Sequence, residues 1–228
     1  MKVLMLNGSS HINGTTMAAL TEVGKALEED GIEYEIFQIG GGPIADCLGC
    51  GQCTESGCIF SDDAVNAFVE KAKAADGYIF GTPVYYAHPS GRIQSFLDRV
   101  FYSSGKHFAH KPGASVAVAR RGGTATTFDV LNKYFGITQM ITVGSTYWNQ
   151  VHGRNAEDAA KDLEGMQTMR NLGHNMAWVL KCLEAGKEKG LVPPTADRSN
   201  RRILYDSNKK IQCVSSVIFV EHTARRSI

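Results

Sequence analysis

Cys47, Cys50, Cys53 and Cys58 crowd into twelve positions in the pattern C-x2-C-x2-C-x4-C. Two-residue spacing lets successive thiolates converge on one cluster, as in ferredoxin-type ligation. Gly49 and Gly51 permit the tight turns that such convergence requires. Zinc ribbons separate two C-x2-C pairs more widely, so zinc suits this spacing less well. A metal-free segment acting through its thiols is the third occupant to weigh. Cys182 and Cys213 stand apart, and each is expected to be a small buried hydrophobe.

A second cluster of chemistry-bearing residues lies near the start: Gly8-Ser9-Ser10-His11-Ile12-Asn13-Gly14-Thr15-Thr16. It separates a short apolar run from a helical pattern, the place where open parallel sheets bind ligands. Free backbone N–H groups and the positive end of the helix dipole attract an anion there. Ser9, Thr15 and Thr16 add hydroxyls, and Gly8 and Gly14 let the backbone approach closely. The chain has neither a Walker A sequence nor a G-x-G-x-x-G after a strand. A compact monophosphate handle such as that of FMN therefore fits better than a dinucleotide. Further on, Pro83-Val84-Tyr85-Tyr86-Ala87-His88 offers aromatic rings beside backbone amides, which suits a flat heterocycle. Arg120-Arg121-Gly122-Gly123 adds a donor-rich loop at the same sheet edge.

Together these segments resemble the NADPH-dependent FMN reductase family, including its multimeric flavodoxin-like oxidoreductases. The resemblance also takes in the stretch from Gly91 to Asp98-Arg99, Tyr147-Trp148-Asn149 and Asp162-Leu163-Glu164-Gly165, and covers about residues 1–190. It implies that Ser9, His11, Asn13, Thr15 and Thr16, with Gly14 among them, surround the FMN phosphate. Pro83, Val84, Tyr85, Tyr86 and Ala87 would line the isoalloxazine, and Gly122 and Gly123 would close over it. Many relatives carry arginine where this chain has His11, so FMN binding is expected to weaken as pH rises above about 7. Asp98 and Arg99 are expected to serve structure, as an ion pair or cap. The cysteine segment resembles that of iron–sulfur flavoproteins, which hold a [4Fe–4S] cluster after the second strand.

The elements that must position these groups alternate between β-type runs and helical patterns, as in a doubly wound α/β domain. Strands are expected at 2–7, 33–39, 77–82, 114–119 and 140–146, the third stopped by Pro83. Helices are expected at 15–30, from Ser61-Asp62-Asp63 to about 75, from Pro89-Ser90-Gly91 through Arg99, and at 124–135. A last helix, capped by Asn155, carries a stripe from Leu163 to Leu183 expected to pack on the sheet. The result is a flavodoxin-like three-layer sandwich with a five-stranded parallel sheet in the order 2-1-3-4-5.

That domain is expected to span 1–190, with 191–228 as an extension. From Asp197 onward seven basic residues face three acidic ones, and Cys213 to Val220 is apolar and β-prone. A net charge of +1 gives no field that favours nucleic acid or an anionic membrane. No apolar run spans a bilayer, and the start lacks a signal-peptide pattern, so a cytoplasmic protein is expected. The function expected is an FMN oxidoreductase with NAD(P)H as co-substrate and a small electron acceptor, working as a homodimer or larger homo-oligomer. An iron–sulfur flavoprotein partnered by ferredoxin is the alternative, and a flavodoxin-type carrier the third. Carriers usually show acidic docking surfaces, which disfavours the last.

Overall fold

The computed structural model describes residues 1–197. In chain order the first elements are β1 (Lys2–Asn7), α1 (Thr15–Glu29), β2 (Glu33–Gln38), α2 (Val65–Lys73) and β3 (Gly77–Tyr85). Then come β4 (His88–Pro89), α3 (Gly91–Ser104), β5 (Pro112–Ala119) and α4 (Thr124–Ile137). The last are β6 (Ile141–Thr142), β7 (Gln150–His152), α5 (Ala156–Ala159) and α6 (Leu163–Glu188). Cys213 and the apolar run after it lie outside the described residues.

The main sheet runs β2-β1-β3-β5-β6, all parallel, with β7 pairing further along β5. Successive strand side chains face opposite sides, so the sheet builds two cores. On one side Val3, Met5, Ile79 and Val116 meet Leu20 and Val23 of α1 and Met169, Leu172 and Met176 of α6. On the other, Leu4, Leu6, Tyr78 and Phe80 meet Phe68 of α2, Phe96 of α3 and Phe135 of α4. This is the three-layer flavodoxin-like arrangement. Strand order reverses between β1 and β3, which places a ligand crevice outside their carboxyl ends.

Three expectations about element limits need correction. Pro83 does not stop β3, which pairs with β5 through Pro83↔Val118 and reaches Tyr85. Pairing with β1 has ended at Asn7↔Gly81, so one edge of β3 is open there and proline costs no ladder bond. The strand expected at 140–146 is two short pieces, β6 and β7, with 144–148 leaving the sheet between them. Ser145 helps draw that excursion away by donating to the Thr168 carbonyl at 2.7 Å. Finally, Asn155 caps only the short α5, accepting from Asp158 N at 2.8 Å, while Asp162 caps α6 through Gly165 N at 3.0 Å.

The stripe on α6 is narrower than its sequence implies, because Leu163 and Leu183 are exposed. Its buried face lies mainly against α1. A Cβ added at Gly173 would stand 2.7 Å from the Val23 carbonyl, so glycine sets how closely the two helices approach. Cys182 is exposed on α6, contrary to its expected burial, since it falls outside the stripe. None of the described helices is long and apolar enough to cross a membrane.

Candidate functional site

A cavity of about 860 Å³ opens outside the carboxyl ends of β1, β3 and β5. Ser9, His11, Asn13, Gly14, Thr15 and Thr16 form one wall, and Pro83, Val84 and Tyr85 the next. Ser10 and Ile12 join the first wall. The far side is Val118, Ala119 and Arg120 at the end of β5, with Gly153, Arg154 and Asn155 after β7. Sequence reading missed this far side, apart from Arg120. A glycine-led polar triplet directly after a strand was the available signal, obscured by the expected limits of the last strand.

The first wall is held from behind. Asn7, buried at the end of β1, accepts from Ser9 N at 3.1 Å and donates to Gln38 Oε1 at 2.6 Å. Gln38 in turn donates to the Ser9 carbonyl at 2.7 Å, and the Ser9 hydroxyl accepts from His11 N at 3.0 Å. Gly8 N donates to the Gly81 carbonyl at 2.8 Å, while Ser90 at the start of α3 donates to the Gly8 carbonyl at 3.3 Å. A Cβ at Gly8 would fall 2.8 Å from the Gly81 carbonyl oxygen, so the loop can lie on β3 only with glycine. Gly14, the residue before α1, makes no side-chain cap, and the first turn holds no acid. The leading N–H groups of α1 therefore keep their demand for an anion.

The second wall ends in a hairpin. Tyr85 pairs with His88, leaving Tyr86 and Ala87 as the two turn residues with φ of 50° and 61°. Positive φ at both positions matches the tight turns whose twist suits a hairpin, a conformation usually left to glycine or asparagine. Tyr86 is fully exposed, and neither it nor Ala87 lines the cavity. Gly122 and Gly123 also stand outside it. Gly123, at φ +91°, packs beneath the hairpin, where a Cβ would meet Ala87 Cα at 2.6 Å and Val84 Cγ1 at 3.0 Å.

The cysteine segment is irregular chain between β2 and α2. Arg99 clamps it. The guanidinium is buried in α3, pairs with Asp63, and donates to the Ala45 carbonyl at 3.3 Å and the Phe60 carbonyl at 2.8 Å. Its Nε donates to the Cys58 sulfur at 3.3 Å. Asp98 is not its partner; it accepts instead from the Tyr134 hydroxyl. The Cys53 thiol is pushed up first by burial, then by the neighbouring charges of Cys58, Cys50 and Cys47. The four cysteines share this one segment, the other three acting on Cys53. They do not close into a common ligand shell among the described residues. In donor type, number and turn-forming glycines (Gly49 at φ +61°, Gly51 at +69°) the segment fits a four-thiolate cluster.

The match to known proteins decides among the folds that share this sheet. Residues 1–154 match the model of NADPH-dependent FMN reductase. The chain belongs to that family. Like others of the family, it is an FMN-binding, flavodoxin-like oxidoreductase in type. It is 35% identical over 193 residues to an iron–sulfur flavoprotein of Methanocaldococcus jannaschii, covering 81% of this chain and 100% of that one. It is 30% identical over 174 residues to an iron–sulfur flavoprotein of Methanosarcina thermophila, covering 73% and 90% respectively. Among solved structures, a flavone reductase superposes with a TM-score of 0.62 at 18% identity, over 81% of this chain and 64% of that one. A flavodoxin from the domain Archaea gives 0.55 at 14% identity, over 79% and 99%. The structural matches speak to fold alone.

Proposed function

We propose that this chain is an FMN-dependent oxidoreductase that takes reducing equivalents from NAD(P)H and passes them to a small acceptor such as a quinone or a flavin. The observation that carries the reading is the uncapped start of α1, ringed by hydroxyls, facing Pro83, Val84 and Tyr85 across one cavity. Ser9, His11, Asn13, Gly14, Thr15 and Thr16 hold the phosphate, through the leading N–H groups of α1 and the side chains that ring them. Val84 and Tyr85 shield one side of the ring from water, with Pro83 fixing the chain behind it. Tyr86 and Ala87 form the turn that presents them, and Gly123, with Gly122 before it in the loop after β5, lets that loop lie close beneath. Bound there, FMN supplies the hydride and electron transfer that no side chain of the cavity offers.

A second reading has its own support. Relatives named iron–sulfur flavoproteins match over most of this chain, and Arg99 fixes Cys58 within the cysteine segment. Cys47, Cys50, Cys53 and Cys58 would then hold a [4Fe–4S] cluster, which supplies one-electron transfer, with ferredoxin as the natural partner. A cytoplasmic homodimer or larger homo-oligomer belongs to both readings. Exposed Ile137, Ile141, Tyr147 and Trp148 in the segments around β6 support association.

Anaerobically purified protein, loaded with FMN and mixed rapidly with NADPH or NADH, tests the first reading. Bleaching of the flavin by a nicotinamide nucleotide is expected. Bleaching only by reduced ferredoxin would replace that reading with the second. Iron analysis of the same material should return about four irons per chain, lost when Cys50 is replaced by serine.

A further inference from the structure

A second cavity, of about 440 Å³, adjoins the first and shares Arg120, Gly153 and Arg154 with it. Its other lining groups are Arg121, His152, Asp158, Lys161 and Asp162. Four permanent cations therefore face two carboxylates, and both carboxylates are already engaged. Asp158 accepts from Arg154 Nε at 2.8 Å and lies 3.5 Å from Lys161 Nζ. Arg154 holds its carboxyl below the usual range. Asp162 accepts from His152 N at 2.6 Å and Gly165 N at 3.0 Å, as the cap of α6. Arg120 and Arg121 are exposed and have no hydrogen bond or ion pair among the described residues.

The backbone that carries these cations is fixed. Gly153 N donates to the Ala119 carbonyl at 3.0 Å, which ties the loop after β7 to the end of β5. A Cβ at Gly153 would stand 2.7 Å from Ala159 N, so the loop is pressed against α5. Two guanidinium groups without counter-charge, beside a cavity proposed to hold FMN, suit one dianionic phosphate monoester, which they can grip with paired N–H donors.

We infer that this cavity is a second phosphate subsite, which receives the 2′-phosphate of NADPH and so makes Arg120 and Arg121 determinants of preference for NADPH over NADH. The inference rests on the FMN reading for its substrate, though not for the anion site itself. Arg120 borders both cavities, so Arg121 and Lys161 are the residues to change.

The test measures calorimetric binding of 2′-phospho-ADP-ribose and of ADP-ribose to FMN-loaded protein, alongside KM for NADPH and NADH. The native chain is expected to bind the 2′-phosphorylated ligand at least tenfold more tightly. Arg121→Ala should remove about tenfold of that affinity, which is the loss expected for one charge-assisted contact. It should raise KM for NADPH alike, leaving KM for NADH and the affinity for FMN unchanged. Lys161→Ala should act in the same direction. Equal binding of the two ADP-ribose ligands, or an equal loss for both nucleotides in Arg121→Ala, would overturn the inference. If neither nucleotide bleaches the flavin, the reductase reading fails, while the binding arm still decides whether the phosphate subsite exists.

Discussion

Arg99 Nε stands 3.3 Å from the sulfur of Cys58, while another arm of the same guanidinium pairs with Asp63. One buried side chain of α3 thus anchors a segment whose own pairing is a single bridge between Thr54 and Gly57. The Phe60 ring, 5.4 Å from the guanidinium carbon, covers the contact.

Replacing Arg99 by leucine leaves Asp63 buried without a counter-charge. Breaking such a pair by removing one partner costs about 3–5 kcal/mol. Urea unfolding should show that loss. A change below about 1 kcal/mol would mean that the clamp adds little to stability.

Gly8→Ala places a methyl 2.8 Å from the Gly81 carbonyl, a backbone atom that cannot rotate away. Overpacking of this kind costs about 1–3 kcal/mol. The first wall of the cavity should shift as a result, so FMN affinity should fall along with the melting temperature. Unaltered affinity in a destabilised variant would separate the loop from the cofactor.

His11 stands on the first wall of the cavity. His11→Ala should weaken FMN binding several-fold, whereas His11→Arg, with its permanent charge and paired donors, should bind FMN at least as tightly as the native chain. Fluorescence titration of the apoprotein measures both, and an unchanged affinity in both variants would remove His11 from phosphate binding.

Ala87 occupies a left-handed conformation at φ 61°, which costs an L-residue with a Cβ roughly 1–2 kcal/mol. Ala87→Gly relieves that cost but increases the freedom of the unfolded chain. The net gain should be up to about 1 kcal/mol. A lower melting temperature would show that the methyl's packing on Gly123 matters more than the backbone.

Glu22 on α1 accepts from Arg170 on α6 at 2.6 Å and from Lys25 at 3.1 Å. Burial works against its charge, but these partners outweigh it and hold the carboxyl below the usual range. A depressed folded value means the contribution is full above about pH 5 and is lost as the solution becomes more acidic. The melting temperature of Glu22→Gln should therefore change less than that of the native chain between about pH 5 and pH 3. Equal slopes would assign acid sensitivity to other groups.

Much of this was legible in the residues themselves. Leu4 and Leu6 against Val3 and Met5 show both faces of β1 covered, and the glycine and hydroxyl loop before α1 follows from local composition. What escaped depends on contacts distant in sequence. Nothing local marks Asn7 and Gln38 as the brace of the loop, because they meet only when β1 and β2 pair. Arg99 reads as a partner for its neighbour Asp98, yet successive residues on a helix point in different directions and its carboxylate comes from Asp63. Leu163 looked like core because it keeps the helical spacing, but it sits at the first position of α6 and is exposed.

The interruption between β6 and β7 separates two duties that one continuous strand would combine. Ile141 and Thr142 extend the lower part of the sheet, whereas Gln150 to His152 carry the chain to the rim where Gly153 and Arg154 begin. Between them 144–148 leans on α6, through Ser145 to the Thr168 carbonyl and Asn171 to the Thr146 hydroxyl, so changes there can be absorbed without disturbing the register of either piece. The outer face of that excursion, where Tyr147 and Trp148 stand exposed, is thereby free to vary while the crevice keeps its shape.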